Sequence, residues 1–135
     1  MEKLDIKTGL KNVKIGMSQD VIDEVLDRGK VRSRYSDIYF IDYESKGIQI
    51  SYKKKEKTAY TIYFYNKDKD YTHFETFDLK TLEGVNWISS REDILEAYGK
   101  PKNDYIFEDG CRIVYDKFDF RIINGTLRRI GLMSK

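Results

Sequence analysis

Apolar residues recur at helical spacing in two segments of the chain, and each segment has capping residues at its ends. Ser18 precedes the first stripe, which ends near Gly29, and Ser90 precedes the second, which ends at Gly99. A serine hydroxyl can accept a hydrogen bond from a free backbone N–H of the first turn, and glycine favours a helix end. The pattern therefore predicts two short helices of about ten residues each.

The segments after each predicted helix alternate apolar and polar residues with a period of two, which is typical of half-buried strands. After the first helix this pattern covers residues 36–43, 47–53 and 59–65, and after the second it covers 103–133 with interruptions. Asn124-Gly125 predicts a tight hairpin, because a type I′ turn needs positive φ at both central residues. The predicted order is therefore a helix followed by antiparallel strands, twice.

A short lead-in sequence also appears twice, as "LDIKTG" around Asp5 and as "FDLKTLEG" around Asp78, and the serine caps follow in phase. Such internal similarity is typical of repeated structural units. We therefore predict an α+β fold of two tandem helix-then-strands repeats, residues 1–70 and 71–135, within one compact domain. The helices are expected to pack on one face of antiparallel sheet.

The segment "SREDILEAYGKP" resembles the corresponding segment of the SmpA/OmlA type of outer-membrane-assembly lipoproteins. It is also similar to the tandem repeats of the β-lactamase-inhibitor-protein-like group. The first half, "IGMSQDVIDEVLDRG", carries the Gly-Met-Ser opening but has Asp27 where glycine is expected, and it has no proline. The resemblance implies a helix layer on an antiparallel sheet and function by protein binding, and it carries no catalytic residue.

Composition narrows the class of protein. The 135 residues are 40% hydrophobic and 14% aromatic, which excludes a disordered chain and favours sheet. The net charge of +2 gives no bulk electrostatic case for nucleic acid, and no stretch predicts a membrane span. We expect a soluble protein that is cytoplasmic as given, and periplasmic or surface-attached if a leader was removed.

The sequence predicts no catalytic, metal-binding or cofactor-binding residue. His73 lies in a polar connection, and Cys111 alternates with Ile113 in the core-facing register, which predicts a buried inert thiol. One cysteine and one histidine exclude a Cys/His zinc site. The lysine run 53–57 is interpreted as a solubilising hairpin tip. Carboxylates that could meet as an acid–base pair are Asp42 and Glu44, Asp68 and Asp70, and Glu108 and Asp109.

The alternation of the strands predicts a surface instead. If Tyr60, Ile62 and Phe64 face the helices, Tyr63 and Tyr65 face away from them. The same argument directs Arg112 outward, opposite Cys111 and Ile113. A two-residue loop at 124–125 would place Arg121 directly across from Arg128, and two such cations repel unless an anion lies near them.

Tyrosine and arginine are enriched at binding hot spots. We therefore predict a binding face formed by Tyr63, Tyr65, Arg112, Arg121 and Arg128 on a non-catalytic protein-binding module. Its most concrete form is an inhibitor or a toxin-neutralising immunity protein. Two alternatives stay open: a small carboxylate-dependent hydrolase or ligand-binding enzyme, and an envelope assembly module whose leader was removed.

Overall fold

Strands dominate the computed structural model, which describes residues 3–69 and 71–134. Two eight-residue helices, a 3₁₀ turn and ten strands are present among these residues. In chain order they are β1 (Gly9–Leu10), β2 (Val13–Lys14), α1 (Gln19–Leu26), β3 (Lys30–Arg34), β4 (Ile38–Tyr43), the 3₁₀ turn (Glu44–Lys46), β5 (Ile48–Lys53), β6 (Ala59–Tyr65), α2 (Arg91–Tyr98), β7 (Asn103–Phe107), β8 (Gly110–Val114), β9 (Phe118–Ile123) and β10 (Thr126–Met133).

Eight of the strands form one continuous antiparallel sheet in the order β3-β4-β5-β6-β10-β9-β8-β7. Each half is a meander of neighbouring strands, and the halves join where β6 pairs with β10. At this junction Ile130 lies across from Phe64 and Leu132 across from Ile62. Large apolar side chains therefore join the two halves at the centre of the sheet. Strands β3 and β7 are its two edges.

The predicted fold class is wrong. Strand makes up 44% and helix only 15% of the structure, which is a single eight-stranded sheet rather than two tandem helix-and-strand repeats with a helix layer. The physical reason is that the helices bury little: α1 buries Ile22 and Leu26, and α2 buries Ile94. A sheet of this width needs much more apolar cover than three side chains can supply.

Extended segments supply the additional cover for the inner face of the sheet. Residues 3–17 and 77–90 run over it, and Leu4 forms a parallel bridge to Thr81, with its N–H donating to the Lys80 carbonyl at 2.7 Å. The buried apolar residues of these segments belong to the same core as the strands; they are Leu4, Ile6, Val13, Leu79 and Val85.

Local structure follows the sequence at the helix starts and at one turn. The Ser18 hydroxyl accepts from the Val21 N–H at 3.4 Å, and Ser90 and Asp93 form a reciprocal capping box, as predicted. Asn124 and Gly125 have φ of 50° and 81°, which confirms the hairpin turn.

Tyr60 does not face the core, although the alternation predicted that it would. The register between β5 and β6 shifts between Ser51 and Tyr52, so Ala59 is buried in place of Tyr60.

Candidate functional site

A row of arginines crosses the outer face of the sheet, which is the face turned away from both helices. Arg121 of β9 lies directly across from Arg112 of β8 on one side and from Arg129 of β10 on the other. Arg129 in turn lies across from Tyr65 of β6. Three cations on adjacent strands at the same level repel one another unless carboxylates or a ligand compensate them.

A buried carboxylate compensates two of these arginines. Asp119 is 1% exposed, and its Oδ2 accepts from Arg112 Nε at 2.6 Å and lies 3.6 Å from Arg129 Nη2. Neither Asp119 Oδ1 nor Arg129 Nε has a hydrogen-bond partner among the described residues. One carboxylate acceptor and one guanidinium donor in this group of half-buried charges therefore stay without a hydrogen bond from the described residues.

Arg121 is held in place from several directions. Its Nη2 donates to Asp109 Oδ1 at 2.9 Å, and its Nη1 donates to the Ile122 carbonyl at 2.5 Å. The guanidinium carbon lies 4.7 Å from the centroid of the Phe107 ring, a cation–π arrangement. Because these contacts fix the guanidinium, Arg121 loses little conformational freedom when a ligand binds.

Gly131 lets a tyrosine ring lie flat on this face. It pairs with Tyr63 on one side and with Asp119 on the other. A Cβ atom at Gly131 would lie 2.5 Å from Asp119 Oδ1 and 2.8 Å from Tyr63 Cε1. The Arg129 guanidinium carbon lies 5.1 Å from the Tyr63 ring centroid, so ring, carboxylate and cation pack as one unit.

Arg121 does not lie across from Arg128, so that prediction is wrong. The register between β9 and β10 shifts at Arg128, which moves the pairing on by one residue and brings Arg129 into the row. Arg128 contacts the 66–69 segment instead, with its Nη1 donating to the Lys67 carbonyl at 3.1 Å and its Nε 3.2 Å from Asp68 Oδ2.

Tyr65 lies on the outer face as the alternation predicts, but it is 5% exposed. Its ring stacks on Phe74 with centroids 4.1 Å apart, and Tyr71 packs beside it. Burial raises the pKa of the Tyr65 hydroxyl. The chain segment 71–74 therefore covers this end of the face, and Tyr65 supports the arginine row rather than offering a contact surface.

Two aromatic residues extend the face to its edge. Tyr105 lies across from Arg112, and Phe107 shares its side of β7; both are exposed. Sequence reasoning missed both, because β7 could be recognised as a strand but not as the edge of the sheet. We call the surface formed by Tyr63, Arg112, Arg121, Arg129, Tyr105 and Phe107 the arginine face.

Several titratable groups outside the arginine face are held by structural partners. Asp42 is buried and accepts from Arg32 Nε at 2.6 Å, while His73 Nε2 lies 3.5 Å from the same carboxylate. Cys111 is buried, as predicted. A hydrogen bond from Lys30 lowers the pKa of Glu44.

Asp70 lies outside the described residues. Within them, no cluster of three or more His, Cys, Asp or Glu side chains could hold a metal ion.

Comparison with protein-family models, curated proteins and solved structures finds no match to this chain. In the part of the chain that the structure describes, neither helix is long and apolar enough to cross a membrane.

Proposed function

We propose that this protein binds another protein through the arginine face, and that the partner presents carboxylates to it. The observation that carries the proposal is the charge of the row: three arginines, Arg112, Arg121 and Arg129, share two carboxylates, Asp109 and Asp119. The row keeps an excess positive charge at a point where cations lie side by side. Carboxylates on a partner would complement that charge.

The composition of the arginine face supports a binding role. Arginine and aromatic residues dominate the hot spots of protein interfaces. Here the guanidiniums of Arg121 and Arg129 lie over the rings of Phe107 and Tyr63, so their orientation is set before any partner arrives. Exposed Tyr105 at the adjacent edge adds apolar area that a partner could cover.

The most concrete form of the proposal is an inhibitor or a toxin-neutralising immunity protein. A pre-organised charged face suits tight blocking of a partner because little ordering is required on binding. The carboxylate-hydrolase alternative gains no such support. Among the described residues, the carboxyl groups with a clear pKa shift, Glu44 and Asp104, have a lowered pKa, whereas a general acid needs a raised one. The envelope assembly alternative stays a prediction.

Parallel affinity capture from the source cell tests the proposal. The wild-type protein is compared with Arg129→Gln/Phe107→Ser, which removes a cation and an exposed ring from the arginine face. The control is Lys7→Gln/Lys80→Gln, which removes two exposed cations from the segments that cover the inner face and leaves the arginine face unchanged. Circular dichroism and thermal unfolding first establish that each variant is folded.

We expect the wild type and the control to capture a protein that the arginine-face variant does not capture. If that protein is an enzyme or toxin, its activity should fall when the wild type binds. Identical capture by the folded arginine-face variant would show that the partner docks elsewhere.

A further inference from the structure

A second, unrelated cluster of cations surrounds a cavity at the opposite edge of the sheet and on the helix side. The cavity has a volume of about 430 Å³ and lies between the start of α1, strands β3 and β4, and the tip of the β5–β6 hairpin. Its lining residues are Gln19, Arg28, Gly29, Val31, Arg34, Tyr39, Ile41, Lys54 and Lys57. Four of these are cations and none is a carboxylate.

The four cations differ from the arginines of the outer face in lacking counter-ions. Among the described residues, no carboxylate lies within ion-pairing distance of Arg28, Arg34, Lys54 or Lys57. Asp23 lies next to the cavity, where its Oδ2 accepts from Gln19 Nε2 at 3.4 Å and its Oδ1 accepts from the Tyr43 hydroxyl at 2.7 Å. The cavity therefore gathers four exposed cations that form no ion pair within the described part of the protein.

The cavity floor is aromatic and fixed. The Tyr39 hydroxyl donates to Gln19 Oε1 at 2.6 Å, and the Tyr39 ring stacks on Tyr52 with centroids 5.5 Å apart. The Arg34 guanidinium carbon lies 5.8 Å from the Tyr39 ring centroid, so this cation is close to the aromatic ring at the base of the cavity. Burial raises the pKa of Tyr39, and the Arg34 cation opposes that rise whereas the Asp23 and Asp20 carboxylates add to it.

We propose that this cavity binds a small organic molecule that carries several phosphate groups. Small-molecule sites have volumes of roughly 300–1,000 Å³, and they combine an apolar wall with a few convergent polar groups. Here Val31, Ile41 and the Tyr39 ring supply the wall, and the four cations supply donors for phosphate oxygens. A single carboxylate would leave most of this positive charge unpaired, whereas a di- or triphosphate would match it.

The hairpin tip has a specific part in this site. Lys57 has φ of 58°, and its carbonyl accepts from the Gln19 N–H at 2.9 Å, which ties the tip to the start of α1. The tip therefore places Lys54 and Lys57 at the cavity. Lys55 of the same tip lines a different cavity together with Tyr35 and Tyr60. This difference provides a matched control.

Isothermal titration calorimetry on the full chain tests the proposal, with sodium tripolyphosphate and ATP as probes. Arg34→Gln/Lys57→Gln is expected to weaken binding of both probes about tenfold or more, as expected when charge-assisted hydrogen bonds are lost. Lys55→Gln should leave the affinity within about twofold, since its side chain lies outside the cavity. Arg28→Gln/Lys54→Gln removes the other two cations and should weaken binding of both probes in the same way. It therefore replaces the first variant if that variant does not fold.

The two probes separate the contributions of phosphate and organic body. Tighter binding of ATP than of tripolyphosphate would assign the nucleoside to the Tyr39 floor, and equal affinity would assign recognition to phosphate alone; both outcomes support the site. The proposal is overturned if millimolar probe gives no binding heat, or if the folded cavity variants bind as tightly as Lys55→Gln. Tighter binding of single-stranded oligonucleotide than of ATP would also overturn it, since an extended nucleic-acid surface would then be the site.

Discussion

Asp119→Asn is the substitution that tests the organisation of the arginine face most sharply. Asparagine keeps the volume of the side chain and an oxygen for Arg112 Nε, but it removes the negative charge. The carboxylate is 1% exposed, whereas the Arg112 side chain is 37% exposed and the Arg129 side chain 24%. The substitution therefore leaves two half-buried cations without their shared anion.

The expected cost lies between two known limits. Removing one partner of a fully buried ion pair costs about 3–5 kcal/mol, and removing one partner of an exposed pair costs about 0–1 kcal/mol. Because water reaches both arginines, we expect Asp119→Asn to lower the free energy of unfolding by about 2 kcal/mol. For a chain of this length the loss corresponds to a fall in melting temperature of about 7 °C.

Asp109→Asn is the matched control, because Asp109 pairs with an arginine of the same row but is 52% exposed. We expect it to cost less than about 1 kcal/mol. Urea unfolding followed by fluorescence of Trp87 measures both values, since its indole N–H donates to the Phe77 carbonyl at 2.6 Å in the fold and loses that environment on unfolding. Equal losses for the two variants, or a gain in stability for Asp119→Asn, would refute the assignment of Asp119 as the shared anion.

Two further predictions concern packing and pH. Gly131→Ala would place a methyl group against the Tyr63 ring and the Asp119 carboxylate, so we expect overpacking to cost about 1–3 kcal/mol in urea unfolding; an unchanged midpoint would show that the ring does not lie on Gly131. A hydrogen bond from Arg91 lowers the pKa of Asp104 in the folded state below its ordinary value of 3.8. The stability difference between wild type and Arg91→Gln should therefore be full above that value and disappear as the pH falls through the lower folded-state pKa, whereas a difference that grows on acidification would contradict the ion pair.

Sequence reasoning succeeded where local chemistry decides the structure. Ser18 and Ser90 cap helices because their hydroxyls compensate free N–H groups whatever the tertiary contacts are. Asn124-Gly125 forms its turn for the same kind of local reason. Alternation also placed Arg112 and Arg121 on one face, since side-chain direction in a strand follows the backbone pleat.

Features that depend on distant segments could not be predicted. The register shift at Arg128 places Arg129 rather than Arg128 in the arginine row, and no residue type at that point predicts a bulge. Tyr65 is buried because the 71–74 segment returns over the sheet. The lysine run forms an exposed hairpin tip, as interpreted, but the sequence could not show that the fold brings Lys57 to the cavity that Arg34 of β3 also lines.

The fold class failed for a related reason. Periodicity revealed the two capped helices, but it could not show that extended chain, including Leu4 and Val85, would cover much of the sheet. The lead-in sequences at Asp5 and Asp78 belong to these extended segments, and Leu4 and Thr81 bridge one to the other. The family resemblance stays a prediction, because no comparison tests it.

The affinity of the captured partner for the arginine-face variant tests the central claim most directly. The purified partner is titrated with wild type, with Arg129→Gln/Phe107→Ser and with Lys7→Gln/Lys80→Gln, at low and at physiological salt. We predict that the arginine-face variant binds about 30-fold more weakly, as for the loss of a hot spot, and that its affinity depends less on salt. An arginine-face variant that is folded and binds with the affinity and salt dependence of the wild type would contradict the account.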